Sequence, residues 1–207
     1  KGHAQYSLRD SRRDRESGRI WRVTAKKGSV SEQLDLSDVA EAKLAKLLSH
    51  REFRVRYLAT RELAHRDHTQ AIQAVNDWIN NLKGDDPQRA RSLAEGMACL
   101  STLGVVRPEL LVELASDTDN HARAAALRQL RYWHESLPDR HEILSQAATD
   151  SAGLVRMEAA IAASWIGTKE ALDAVLSIFR QPIGGHLAYA AVSALESQPL
   201  QRHWKNN

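Results

Sequence analysis

Cysteine is almost absent from this chain, because Cys99 is the only one among 207 residues. One cysteine excludes an internal disulfide, a CxxC zinc pair and a CxxCH haem-attachment motif within the chain. We expect the Cys99 thiol to be a small, buried apolar group in a helix. The sequence also lacks any run of about 18 apolar residues, so it predicts no membrane-spanning helix.

Aromatic residues are scarce, with two Phe, four Tyr and five Trp. This scarcity, together with many Ala and Leu, favours helices over sheets. No G-x-S-x-G sequence, glycine-rich phosphate loop or hydrolase triad order is present. His65 and His68 have the spacing of two metal ligands on one helix face, but no third ligand is close in sequence. We therefore predict no catalytic residue, no cofactor and no metal site in the chain.

Positive charge is concentrated at the start of the chain. Residues 1–27 contain nine Lys or Arg and three acidic residues, a net charge of plus six. The whole chain has a formal net charge of plus three, so residues 28–207 carry a net charge of minus three. Each phosphate contact needs a cation, so this balance disfavours nucleic acid as the partner of the main part of the chain.

The chain contains a repeated pattern, in which an Arg is followed by small or apolar residues three and seven positions later. In residues 150–167 these are Arg156, Ala159 and Ala163. The copies are Arg56 with Ala59 and Leu63, Arg123 with Ala126 and Leu130, and Ala188 with Ala191 and Leu195. The first positions are 67, 33 and 32 residues apart (56 to 123, 123 to 156, 156 to 188), so one degenerate copy is expected before position 123. A period near 33 predicts an all-α, right-handed solenoid of about five helix pairs.

The sequence predicts three regions. Residues 1–30 form a basic loop and one short extended strand, RIWRVT, which is marginal without a partner strand. Residues 37–198 form the repeat domain, and residues 199–207 form a tail without a clear pattern. The lone strand suggests that the chain is part of a longer protein.

The repeat unit resembles HEAT repeats. The resemblance rests on Asp150, Val155, Arg156 and Ala159, and on the corresponding Asp117, Arg123 and Ala126. In HEAT repeats the Asp and Arg link neighbouring turns, and the Ala allows close helix packing. The resemblance therefore implies structural roles for one set of positions: Arg56, Ala59, Arg123, Ala126, Asp150, Arg156 and Ala159.

A narrower resemblance concerns the order of segments GRIWRVT, LAKLLSHREFRVRYLATRELAHR, TDSAGLVRMEAAIAASWIG and LAYAAVSALESQPLQRHW. This order resembles the membrane-bound-dehydrogenase-like haem-binding proteins of planctomycetes and verrucomicrobia. In that family a sugar-dehydrogenase-like propeller precedes the HEAT repeats and a cytochrome c with CxxCH follows them. The resemblance implies an exported, periplasmic location, with the propeller and the cytochrome c as adjacent domains. The chain itself lacks the propeller body and CxxCH.

Two functions follow as hypotheses. The first is a non-catalytic scaffold or protein-interaction module, whose partner binds along the second helices of the pairs. The second is a HEAT-type nucleic-acid-binding protein or DNA glycosylase that uses an Arg-rich face. Candidate residues of the interaction surface are Arg54, Arg61 and Trp133. Trp133 ends a helix and is either packed in the core or partly exposed as a contact residue, whereas Trp165 is expected in the core.

Overall fold

The computed structural model describes residues 34–204 and Ser11. The chain divides into two compact units, Lys1–Gln33 and Leu34–Asn207. The predicted basic loop and lone strand lie outside the described residues. Within residues 34–204, no helix is long and apolar enough to cross a bilayer.

The described part of the chain is helical throughout, with short turns between the helices. Its helices are α1 (Glu41–Leu47), α2 (Phe53–His65), α3 (His68–Asn80), α4 (Arg89–Thr102), α5 (Pro108–Ala115), α6 (Asn120–Trp133), α7 (Arg140–Ala148), α8 (Gly153–Ile166), α9 (Lys169–Ile178), α10 (Gly185–Leu195) and α11 (Gln198–Gln201), with a 3-10 turn at His134–Ser136.

Successive helices form five pairs that stack on one another, and this confirms the predicted HEAT-like solenoid. We call the pairs repeats 1 to 5, and the even-numbered helices α2 to α10 their second helices. The second helices of repeats 3, 4 and 5 pack closely in a row. Leu and Ala fill the space between the two helix layers and form one continuous core. Cys99 is fully buried in this core, as predicted.

Side-chain caps set where several helices begin. Asp67 accepts a hydrogen bond from the N–H of Gln70 at the start of α3, and Thr168 accepts one from Ala171 at the start of α9. Such caps satisfy N–H groups that have no partner inside the helix. Pro108 occupies the first turn of α5, where its missing N–H costs nothing.

The predicted boundary after residue 198 is too early. Leu200 of α11 is fully buried, and the His203 ring contacts the carbonyl oxygen of Gly167 at 2.9 Å. Gly167 ends α8 with φ of 65°, and a Cβ at this position would lie 2.6 Å from the Cβ of Pro199. Only glycine fits this close approach, so residues 198–204 continue the packed structure.

Candidate interaction surface

The repeated arginines bind the turn inside their own repeat. In each case Nη1 donates to the backbone carbonyls six and five positions before the arginine. The acceptors are His50 and Arg51 for Arg56 (2.9 and 3.0 Å), Asp117 and Thr118 for Arg123 (2.9 and 3.0 Å), and Asp150 and Ser151 for Arg156 (2.6 and 3.1 Å). The arginine thus holds the turn against the second helix.

The same arginines also reach the following repeat, and the contact between repeats 3 and 4 is the most complete. Arg123 donates from Nε to Oδ2 of Asp150 at 2.7 Å and from Nη2 to Oδ1 at 2.9 Å. Burial alone would raise the pKa of Asp150, but the hydrogen bonds from Arg123 and from the N–H of Ala152 outweigh it and hold this pKa below its ordinary value. A fork-shaped pair of this kind is strong and directional.

The small residue three positions after each arginine lies in the core. Ala59, Ala126 and Ala159 are each at most 1 % exposed. In repeat 2 the matching residue is Gly96, where an added Cβ would lie 2.9 Å from the side chain of Ile79. These positions bring neighbouring helices close together.

Repeat 2 departs from the pattern at the arginine position. Matching the buried residues of α4 to those of α6 aligns Leu93 with Arg123 and Gly96 with Ala126. The turn of repeat 2 is also one residue longer, because Asp86 precedes Gly96 by ten positions whereas Asp117 precedes Ala126 by nine. Consequently no arginine from repeat 2 reaches the turn of repeat 3 in the way that Arg123 reaches Asp150.

A groove of about 890 Å³ lies between α4 and α6, where this contact is missing. Small and apolar side chains lie along it, among them Ala94, Met97, Ala98 and Ala125. Ala98 is exposed, and Ala94 and Ala125 are half-buried. The groove therefore offers room for an extended chain to lie between the two helices.

Most charged side chains along the groove already have partners. Arg89 pairs with Glu113, and Arg128 donates to Glu158 at 2.5 Å. Arg91 donates from Nη2 to the carbonyl oxygen of His50 at 2.9 Å. The carboxylate of Glu95 accepts from Nε of Arg56 at 2.6 Å.

Three carboxylates at the groove form no salt bridge among the described residues, although two of them lie near enough to Arg123 to add to the effect of Asp150 in raising the pKa of that arginine. They belong to Asp86, Asp117 and Asp119, and each accepts only backbone N–H groups through Oδ1. Asp117 accepts from the N–H of Asp119 at 2.8 Å, in the same way that Asp150 accepts from Ala152 at 2.7 Å. The Oδ2 atoms of all three remain available, so this end of the groove attracts positive charge.

The expected exposure of two tryptophans is reversed. Trp133 is only 5 % exposed, so the prediction that it belongs to an interaction surface is wrong. It aligns with buried Leu103, which directly follows α4, and faces the core. Trp165 was expected in the core but is 54 % exposed, and its ring meets that of Tyr132 edge to face at 5.2 Å. The sequence contained a signal for this pair, because Tyr132 and Trp165 occupy the same position in successive repeats, 33 residues apart.

The buried carboxylate of Glu158 has a structural role. Its side chain is 4 % exposed and pairs with Arg128 and Arg131 of α6. These contacts tie the second helices of repeats 3 and 4 together, and they position Arg128 beside the groove.

The arginine-rich helix α2 is less cationic at its surface than its composition suggests. Arg54 and Arg61 are exposed, as is Arg51. Arg56 is buried between repeats, and the guanidinium of Arg66 caps the backbone carbonyls of Leu36 and Ser37. Within the described residues, no group of three or more His, Cys, Asp or Glu is placed to hold a metal ion.

The helix pairs define an α-solenoid, and comparison with known proteins specifies its type. A family model described as HEAT repeats matches residues 108–196, so repeats 3 to 5 are a HEAT-repeat region. One similar solved structure is the crystal structure of an engineered protein from the Northeast Structural Genomics Consortium. It is 23 % identical, with 79 % of this chain and 80 % of that chain covered and a TM-score of 0.44. A search of curated proteins found no match.

Proposed function

We propose that the chain is a non-catalytic protein-interaction module whose partner binds along the second helices, in the groove between α4 and α6. The observation that carries this proposal is the groove itself, which lies between α4 and α6, where Leu93 occupies the arginine position of repeat 2. HEAT repeats commonly serve as extended binding surfaces.

The exposed aromatic pair extends the proposed surface beyond the groove. Arg128 lines the groove, and Tyr132 lies one helical turn further along the same face of α6. Tyr132 and Trp165 are 58 % and 54 % exposed, and exposed aromatic rings are frequent anchors of protein contacts. A partner segment that leaves the groove along α6 would meet this pair.

The test places a photo-crosslinking amino acid at Ala98 in the groove, with Gln73 on the first-helix layer as the control position. We expect one protein from the source organism to be crosslinked at position 98 and not at position 73. Binding of that purified protein to Ala98→Trp should then be at least about tenfold weaker, while Gln73→Trp should bind as the unmodified chain does. Equal binding by all three would overturn the proposal.

The alternative function as a nucleic-acid binder or DNA glycosylase requires cations along the second helices. The groove presents unpaired carboxylates instead, and the exposed Arg54 and Arg61 are confined to α2. Retention of the chain on duplex DNA at low salt, with a steep loss as salt rises, would support the alternative. We expect no retention.

We also propose that the chain is part of a larger exported redox protein with a propeller and a cytochrome c as adjacent domains. The support is the resemblance of its segment order to the dehydrogenase-like family. The complete native polypeptide, read from the gene or by intact mass, tests this proposal. A propeller before the repeats and CxxCH after them would agree with it, and a free-standing chain would contradict it.

A further inference from the structure

We propose that the groove between α4 and α6 binds an extended peptide segment of a protein partner through an arginine side chain that pairs with Asp117. This inference rests on the proposed function and specifies the chemistry of the partner. The partner's guanidinium would supply the turn-to-turn contact that repeat 2 lacks.

The chain contains its own template for this contact. In repeat 4, Oδ1 of Asp150 accepts the N–H of Ala152, and the carboxylate also receives Nε and Nη2 of Arg123. In repeat 3, Asp117 makes the corresponding turn with the N–H of Asp119, but among the described residues its carboxylate receives no guanidinium hydrogen bond, and Arg123 donates to its backbone carbonyl instead. The acceptor geometry that suits an arginine in one repeat is therefore repeated in the next without its donor.

The position of Asp117 makes it accessible to an outside donor. Asp117 lines the groove together with Thr118 and Asp119, on the side opposite α4. The residue of α4 that aligns with Arg123 is Leu93, which is 1 % exposed and points into the core. No side chain of repeat 2 therefore fills the place of the missing arginine.

Charge complementarity favours a cationic segment over an anionic one. The three arginines of the groove are occupied by Glu113, Glu158 and a backbone carbonyl. The carboxylates that form no salt bridge within the described part of the chain are those of Asp86, Asp117 and Asp119. Arginine fits better than lysine, because its planar fork can bind both oxygens of one carboxylate as Arg123 does with Asp150.

The shape of the groove favours an extended segment rather than a helix. Short side chains line part of it, among them Ala94, Ala98 and Ala125. A helix with its side chains is about 10 to 12 Å across, and an extended strand is narrower, so an extended strand with one long side chain suits the groove better.

In the experiment, a displayed library of random 12-residue peptides is selected for binding to the whole chain and, separately, to three variants. Ala98→Trp blocks the groove. Asp117→Asn removes the charge but keeps an acceptor for the turn, because Asn forms the same turn as Asp. Asp173→Asn, at an exposed position of α9 in the other helix layer, is the matched control. Unchanged thermal unfolding identifies variants that remain folded.

We expect peptides that bind the unmodified chain and Asp173→Asn, fail on Ala98→Trp, and are enriched in arginine. A selected peptide should bind Asp117→Asn about tenfold more weakly, and replacing its arginine with lysine should weaken binding to the unmodified chain by a similar factor. If no peptide distinguishes the unmodified chain from Ala98→Trp, the proposed function itself fails. If groove-dependent peptides lack arginine, tolerate lysine or ignore Asp117→Asn, only the arginine inference is overturned.

Discussion

The helix-pair unit is more regular in repeats 3 to 5 than in repeats 1 and 2. Repeats 3 to 5 carry the HEAT match, the complete Arg123–Asp150 pair and a closely packed row of second helices. In repeats 1 and 2, Arg56 donates to Glu95, which lies on a helix, and not to an aspartate in a turn. Arg91 donates to a backbone carbonyl in the turn of repeat 1. The difference shows that the second helices pack closely where the inter-repeat contact is regular, and that a groove is open between them where this contact is lost.

The junction between the two regions is therefore the most informative place in the molecule. Packing of α4 against α6 is looser than packing of α6 against α8. In a solenoid each repeat touches only its neighbours, so a weak junction lowers the cooperativity between the regions on its two sides. The predictions below test this difference.

The largest effect is expected from Arg123→Met. This change removes the pair with Asp150 and two bonds to turn carbonyls, and leaves those acceptors partly buried. We expect the free energy of unfolding to fall by about 3 kcal/mol, measured by urea unfolding. Arg91→Met, which removes only carbonyl contacts in repeats 1 and 2, should cost about 1 kcal/mol. Equal losses of unfolding free energy for Arg123→Met and Arg91→Met would show that the arginine contacts stabilise the two regions equally.

An intermediate effect concerns acid stability. The pKa of Asp150 is lowered in the folded state, so its contribution to stability is present above its ordinary value of 3.8 and is lost as the pH falls through the folded value. We expect Asp150→Asn to lower stability by about 1 to 2 kcal/mol at pH 7 and by less at pH 3. The measurement is urea unfolding at both pH values. A loss that is constant with pH would mean that the charge of Asp150 does not act through this pair.

The smallest effect is expected for the Cys99 thiol of α4. Burial raises the pKa of Cys99 to about 11, so alkylation at pH 8 requires the surrounding helices to open. If repeats 1 and 2 open separately, the alkylation rate in Arg123→Met should stay within about twofold of the unmodified rate, although global stability is lower. A rate that rises in proportion to the loss of stability would show that the chain opens as one unit.

Periodicity in the sequence was sufficient for much of the fold. The spacing of Arg, Ala and Leu predicted the five helix pairs. This succeeds because each repeat must bury the same helix face against its neighbours. The tail was missed because α11 is too short to show a period, although Leu200 is fully buried.

The orientation of single aromatic residues was not predictable from their local sequence. Trp133 and Trp165 both lie near helix ends, yet one faces the core and the other faces solvent. Aligning the repeats distinguishes the two tryptophans, because Tyr132 matches Trp165 while Trp133 matches Ile166. A rotation of one residue, about 100° around the helix, decides between burial and exposure.

The sequence by itself determined the helical repeat, its period and the positions that carry the stacking contacts, because these depend on local pattern repeated along the chain. Only the tertiary structure decided where the array departs from regularity. The groove lies where Leu93 takes the place of an arginine and the turn is longer by one residue, and neither change has a visible consequence until α4 and α6 are placed side by side. A gap between two elements is a property of their packing, so it cannot be read from either element alone.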